Sequence, residues 1–160
     1  MADYNINPGD EAPADIELNV WPEGRLKLAD LRGAWVILYF YPKDSTPGCT
    51  TESCEFRDAL PDFSAADARI IGVSRDSLKS HARFTEKQEL NFPLISDAEE
   101  ALCKAFDVIR IKKLYGKESL GVERSTFIIN PEGDIAYAWR KVRVKEHVAN
   151  VLATLKELQS

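Results

Sequence analysis

The chain has 160 residues, 44% hydrophobic and 29% charged, with a formal net charge of −5. That acidic balance excludes the clustered basic footprint of a nucleic-acid binder, and no run approaches the roughly 18 apolar residues of a membrane span. Three cysteines are too few, and odd in number, for a secreted disulfide scaffold, and the start MADYNINPGDEAP shows no secretory leader, so a cytoplasmic protein with reduced thiols is expected.

Residues 1–33 read as an N-terminal arm of short extended pieces, because Pro8-Gly9, Pro13 and Pro22-Glu23-Gly24 punctuate it. Trp35 to Tyr41 is an uninterrupted apolar run, which suits a strand buried on both faces of a parallel or mixed sheet. The run stops at Pro42, and a short loop leads through Thr46 and Pro47-Gly48 to Cys49 at the entrance of a helix. Phe56, Ala59, Leu60 and Phe63 recur at helical spacing there, and Pro61 is expected to kink or break that helix near Leu60. Residues 69–74 predict a strand, 76–89 a polar helix and 92–95 another short strand. Ala98, Ala101, Leu102 and Ala105 form a second helical stripe, with Cys103 one residue off it. Residues 110–121 are basic and contain glycine, which predicts an exposed loop. Residues 125–129 and 135–139 are strands joined across the turn Asn130-Pro131-Glu132-Gly133-Asp134. Val148, Val151, Leu152, Leu155 and Leu158 close the chain as an amphipathic helix. This order predicts one domain over 1–160, an α/β fold with a mixed central sheet flanked by helices. Trp35, Tyr39, Phe40 and Trp139 are expected in the core. His81 and His147 stand in no motif and are expected on exposed helix faces.

A free cysteine is most often a small buried hydrophobe. Cys49 differs by position, because the orphan N–H groups and positive dipole end of a helix entrance stabilise a thiolate. Thiolate character alone does not make a fast nucleophile. For any thiol lowered from about 8.5 to about 6, the anion fraction at pH 7 rises roughly thirtyfold while intrinsic nucleophilicity falls roughly thirteenfold. An efficient site therefore needs donors aimed at the transition state. Thr46 places a hydroxyl three residues before the thiol, and Pro42 shields the base of the loop.

The pattern Pro42-x-x-x-Thr46-x-x-Cys49 resembles the peroxiredoxin active-site signature. The wider string YFYPKDSTPGCTTESCEFRD is similar to the bacterioferritin-comigratory, PrxQ-like branch, as are Gly9-Asp10-x-Ala12-Pro13 and GVERSTFIINPEG. The resemblance runs over nearly the whole chain. It implies a thioredoxin-like fold of the peroxiredoxin type, no bound cofactor or metal, and reduction of hydrogen peroxide and alkyl hydroperoxides. Cys49 would be the peroxidatic thiolate, Thr46 would hydrogen-bond peroxide and thiolate, and Arg124 would stabilise the thiolate and the departing oxygen. If 125–129 runs antiparallel to 35–41, Arg124 falls near the strand end that carries Cys49.

The resemblance also makes Cys54, five residues on, the resolving cysteine, since 80–87, where other members carry theirs, has none. On an intact helix five residues separate the Cα atoms by over ~8 Å, beyond the ~7 Å reach of a disulfide, so the bridge requires the first turns to unwind. Cys103 reads as structural or incidental. Thioredoxin or a glutaredoxin-like donor would recycle the disulfide, and a monomer would suffice for turnover. Three alternatives stay open: a thioredoxin-type disulfide oxidoreductase, which would want Cys-x-x-Cys where this chain has Thr50-Thr51-Glu52 after Cys49; a non-catalytic binding or chaperone module; and a one-Cys peroxidase. The cysteine spacing does not suit zinc.

Overall fold

The computed structural model describes residues 4–22 and 24–160; the first three residues of the arm, and Glu23 of its expected turn, lie outside the described residues. The arm supplies β1 (Leu18–Trp21), β2 (Gly24–Leu26) and a short 3-10 turn (Leu28–Leu31). There follow β3 (Trp35–Phe40), α1 (Pro47–Ala65), β4 (Ala68–Ser74), α2 (Leu78–Gln88), β5 (Leu94–Ser96), α3 (Ala101–Ala105), β6 (Ile109–Leu114) and β7 (Lys117–Val122). The chain ends with β8 (Ser125–Ile129), β9 (Ile135–Trp139) and α4 (His147–Gln159).

Seven strands form one mixed sheet in the order β2-β1-β5-β4-β3-β8-β9. The strands β3, β4 and β5 run parallel, whereas β1 and β8 are antiparallel to their inner neighbours. The central strand is apolar throughout because both its faces are covered. Val36, Leu38 and Phe40 join a core with the arm, α3 and Phe127. Ile37, Tyr39 and Tyr41 join a second core with Phe56 and Phe63 of α1, Phe84 of α2 and Val151 of α4. Tyr39 ties strand to helix, stacking on Phe56 at 4.6 Å between ring centroids and sharing a 2.8 Å hydrogen bond with the buried Ser53 hydroxyl. The register pairs Phe40 with Ser125, so Arg124, one residue before β8, stands at the end of β3 from which the Cys49 loop departs. This is the placement that antiparallel pairing predicts.

Several local expectations are corrected. Pro61 does not break α1, which runs unbroken from Pro47 to Ala65. A proline removes the N–H that would bond the carbonyl four residues earlier, and here that orphan, Arg57 O, accepts from Asn91 Nδ2 at 3.2 Å. Residues 110–121 are not a loop but the two-stranded ladder β6–β7, paired from Ile109↔Val122 to Leu114↔Lys117. Tyr115 and Gly116 both take positive φ, 53° and 77°, the twist that a two-residue hairpin turn demands. In α3 the expected stripe is displaced: Ala98 and Ala101 are exposed, whereas Leu102 and Cys103 are buried. Asp97 sets this rotation, its carboxylate accepting from the N–H groups of Leu102 and Cys103 at 3.0 and 2.7 Å.

Gly72 of β4 lies so close beneath Tyr39 that a Cβ would sit 2.8 Å from Tyr39 Cζ and Oη and from Leu94 Cδ2. Gly72→Ala should displace the Tyr39 ring and weaken its bond to Ser53. The expected destabilisation is about 1–3 kcal/mol, read as a lower urea midpoint at unchanged slope.

Candidate active site

The loop between β3 and α1 is stitched from below. Tyr41 is buried, and its N–H still bonds Val73 O at 3.0 Å, so the chain leaves the sheet at half-buried Pro42. Asp44 turns inward and becomes the loop's anchor. Its Oδ1 accepts from the Tyr41 hydroxyl at 2.6 Å, and its Oδ2 lies 2.8 Å from the Ser80 hydroxyl and 2.7 Å from His81 Nδ1. Its N–H donates to Asp76 Oδ2 at 2.8 Å. His81 Nε2 lies 2.9 Å from Ile95 O; a carbonyl only accepts, so Nε2 carries a proton. These contacts hold the loop against α2 and β5. They also correct the expectation for His81, which is wholly buried. Sequence reading had no signal for it beyond an acid in the loop and a histidine on the next helix.

Thr46 occupies the N-cap position of α1, Pro47 its first turn and Cys49 the place where free N–H groups converge. Ser45 adopts a left-handed φ of 62° to make the turn into the helix. The Thr46 hydroxyl donates to Lys43 O at 2.8 Å, so it braces the loop rather than the thiol. Cys49 is 1% exposed, and Arg124 Nη2 donates to its sulfur at 3.4 Å. Gly48 lets the guanidinium in, since a Cβ there would lie 3.2 Å from Nη2. The other arm of Arg124 donates from Nη1 to Glu52 Oε1 at 2.6 Å. Glu52 is fully buried, and its Oε2 has no hydrogen-bond partner among the described residues. It follows Cys49 by three residues and so shares its helix face, a signal that spacing alone carried and that sequence analysis passed over. Burial pushes the Glu52 carboxyl up to about 7, against the pull of Arg124.

Cys54 is half-buried on the same helix, away from Cys49, with its sulfur between Gln88 Oε1 at 3.5 Å and Arg57 Nη1 at 3.6 Å. All three thiols are free. Cys103 is buried in the opposite core, and burial, followed by its contact with Asp97, pushes its thiol far up. His147, expected on a surface, is buried at the start of α4, with Nε2 2.8 Å from Thr126 Oγ1 and its ring edge-on to Trp139. Burial, then the nearby Arg124, push it down to about 4. Among the described residues no group of three or more His, Cys, Asp or Glu side chains is placed to hold a metal, and no helix is long and apolar enough to cross a membrane.

The sequence model of the AhpC/TSA family matches residues 8–138. Peroxiredoxin Bcp of Xanthomonas campestris is 54% identical over 149 residues, 91% of this chain and 93% of that one. The chain belongs to the AhpC/TSA family, in its Bcp/PrxQ peroxiredoxin branch. Peroxiredoxin Bcp of Bacillus subtilis is 52% identical over 153 residues, covering 96% of this chain and 97% of its own. A solved structure of the Xanthomonas campestris bacterioferritin comigratory protein, a trapped intermediate/ligand complex bearing on alkyl peroxide reduction, superposes with a TM-score of 0.90. It is 50% identical and covers 99% of this chain and 100% of that one. The fold of this peroxiredoxin is thus the thioredoxin-like one that its motifs imply.

Two buried groups at this peroxiredoxin's site pull stability in opposite directions with pH. Glu52 keeps its proton to about pH 7 when folded but loses it near 4.5 when unfolded, so its contribution is full below about 4.5 and is lost as pH rises to about 7. His147 stays neutral to about pH 4 when folded but titrates near 6.5 when unfolded, so its contribution is full above about 6.5 and is lost as pH falls to about 4. Each slope is about 1.4 kcal/mol per pH unit, and between 4.5 and 6.5 the two oppose each other. Glu52→Gln should leave the His147 slope exposed, so that urea stability climbs between pH 4.5 and 6.5 where the parent is nearly flat. A parallel profile for both proteins would refute the assignment.

Proposed function

We propose that this chain, acting as a single domain, is a thiol peroxidase for hydrogen peroxide and organic hydroperoxides, with Cys49 as the peroxidatic and Cys54 as the resolving cysteine. The observation that carries this reading is the Arg124 guanidinium donating to the Cys49 sulfur at 3.4 Å, at the entrance of a helix that begins with Pro47. The Cys49 thiolate attacks the terminal peroxide oxygen, the O–O bond breaks, and the departing alkoxide or hydroxide takes a proton. Cys49 is left as a sulfenic acid. Arg124 keeps a positive charge and a donor beside the atoms where negative charge moves from sulfur to oxygen, which is the stabilisation a low-nucleophilicity thiolate needs. Pro42 and the Asp44 anchor hold the loop that shapes the approach, and Thr46, whose hydroxyl now braces Lys43, stands close enough in sequence to turn toward a bound peroxide.

Cys54 then displaces the sulfenic oxygen as water and forms an intramolecular disulfide, which a dithiol donor of the thioredoxin or glutaredoxin type reduces by exchange. Within unbroken α1 the two Cα atoms stand over ~8 Å apart, so the first turns of α1 open between the two steps. The opening breaks the Glu52–Arg124 and Ser53–Tyr39 contacts, at 2.6 and 2.8 Å. Because both thiols lie in one chain, a monomer is sufficient, and the cytoplasm is the compartment that suits three free thiols.

Reduced protein treated with one equivalent of hydrogen peroxide should lose about 2 Da, localised by peptide mapping to a Cys49–Cys54 link. A lasting gain of about 16 Da at Cys49 instead would mean a one-Cys peroxidase, and an unmodified Cys49 would sink the peroxidase reading. Arg124→Ala should slow sulfenate formation by roughly a hundredfold or more, the usual effect of removing one transition-state donor, as read by stopped-flow peroxide consumption.

A further inference from the structure

The surroundings of Cys54 are built from the stretch that joins α2 to β5. Arg57, one turn further along α1, donates from Nη1 both to the Cys54 sulfur at 3.6 Å and to Gln88 O at 2.6 Å. Its own carbonyl, orphaned by Pro61, is bonded by Asn91 Nδ2 at 3.2 Å. Arg57 is therefore fastened to residues 88–91 by its side chain and its backbone at once. Cys49, Glu52 and Ser53, nearer the N-terminus, make no side-chain hydrogen bond to that segment among the described residues; they are held to Arg124 and Tyr39 instead.

Resting on the reading of Cys54 as the resolving thiol, we propose that Arg57 serves the second chemical step. It holds the Cys54 sulfur beside a positive charge as the attacking nucleophile, and it marks the point where the opening of α1 stops. The Cys49 end of the helix swings to a stationary Cys54, not the reverse. In that step the Cys54 sulfur attacks the Cys49 sulfenyl sulfur, the S–S bond forms, the S–O bond breaks, and hydroxide leaves and is protonated to water. Gln88 Oε1 complements Arg57: it accepts from the thiol S–H before ionisation, and the guanidinium donates to the sulfur afterwards. The other charges facing this corner are Asp58, which pairs with Arg57 at 2.9 Å, and Glu89 just past the end of α2, which also acts on the Arg57 charge.

Quenched-flow oxidation with one equivalent of hydrogen peroxide, from pH 5.5 to 8.5, separates the two steps when Cys49 sulfenate and Cys49–Cys54 disulfide are each quantified by mass. Arg57→Gln should leave sulfenate formation within about twofold of the parent while slowing disulfide formation about threefold, the loss of a donor and a positive charge beside the attacking sulfur. Arg57→Lys, which keeps the charge, should restore the parent rate of disulfide formation. In the oxidised parent, backbone hydrogen exchange should show lost protection over 50–54 and retained protection over 58–65. A parent that links Cys49 to Cys54 while Arg57→Gln matches it in the rate of that step overturns the role of Arg57 alone. Protection lost through Phe63 overturns the boundary. A parent that forms no such link overturns the resolving role of Cys54 and this proposal with it.

Discussion

Everything at the catalytic end of this molecule hangs on one guanidinium. Arg124 enters from the head of β8 and bridges two residues of the first turns of α1, the Cys49 sulfur and the Glu52 carboxyl. It reaches them only because β8 lies antiparallel to β3 in a register that sets Ser125 against Phe40, and because Gly48 leaves the space. The sheet is thus the ruler that measures the distance between charge and thiol. The cores above and below it, which lock Tyr39 to Phe56 and Phe40 to Phe127, keep that ruler rigid.

The bridge is not a simple source of stability. A buried ion pair must overcome the desolvation of both partners, and Glu52 remains half-satisfied, with Oε2 unpaired among the described residues and its carboxyl pushed up to about 7 by burial. The first turns of α1 are consequently held by contacts in mutual opposition, while the middle of the helix is sealed by Phe56 and Phe63, both fully buried. Such a distribution makes the start of the helix the segment that opens most readily.

Much of this was legible in the chain itself. An unbroken apolar run, a proline stop and a thiol after Pro47-Gly48 are local features, and local physics places each of them. Arg124 became legible once strand direction was supposed. What escaped were features decided by partners distant in sequence. His81 looked like a surface histidine because its burial depends on Asp44, 37 residues away. Pro61 looked like a helix breaker because the amide that satisfies Arg57 O comes from Asn91. The β6–β7 hairpin was hidden by a turn built from Tyr115-Gly116 instead of the usual Asn-Gly. Thr46 shows the limit from the other side: its position was legible, but not the direction of its hydroxyl, which goes to Lys43 O.

The separation of Cys49 and Arg124 by 75 residues also has a meaning in time. At a synthesis rate of roughly 5–20 residues per second, Arg124 is made about 4–15 s after Cys49. During that interval the nascent chain carries the thiol without its guanidinium, although the residues that anchor the loop to β3, β4 and α2 are already made. On the proposed reading of Cys49 as the attacking thiol, the catalytic constellation is assembled only when the sheet is completed, late in the making of the chain.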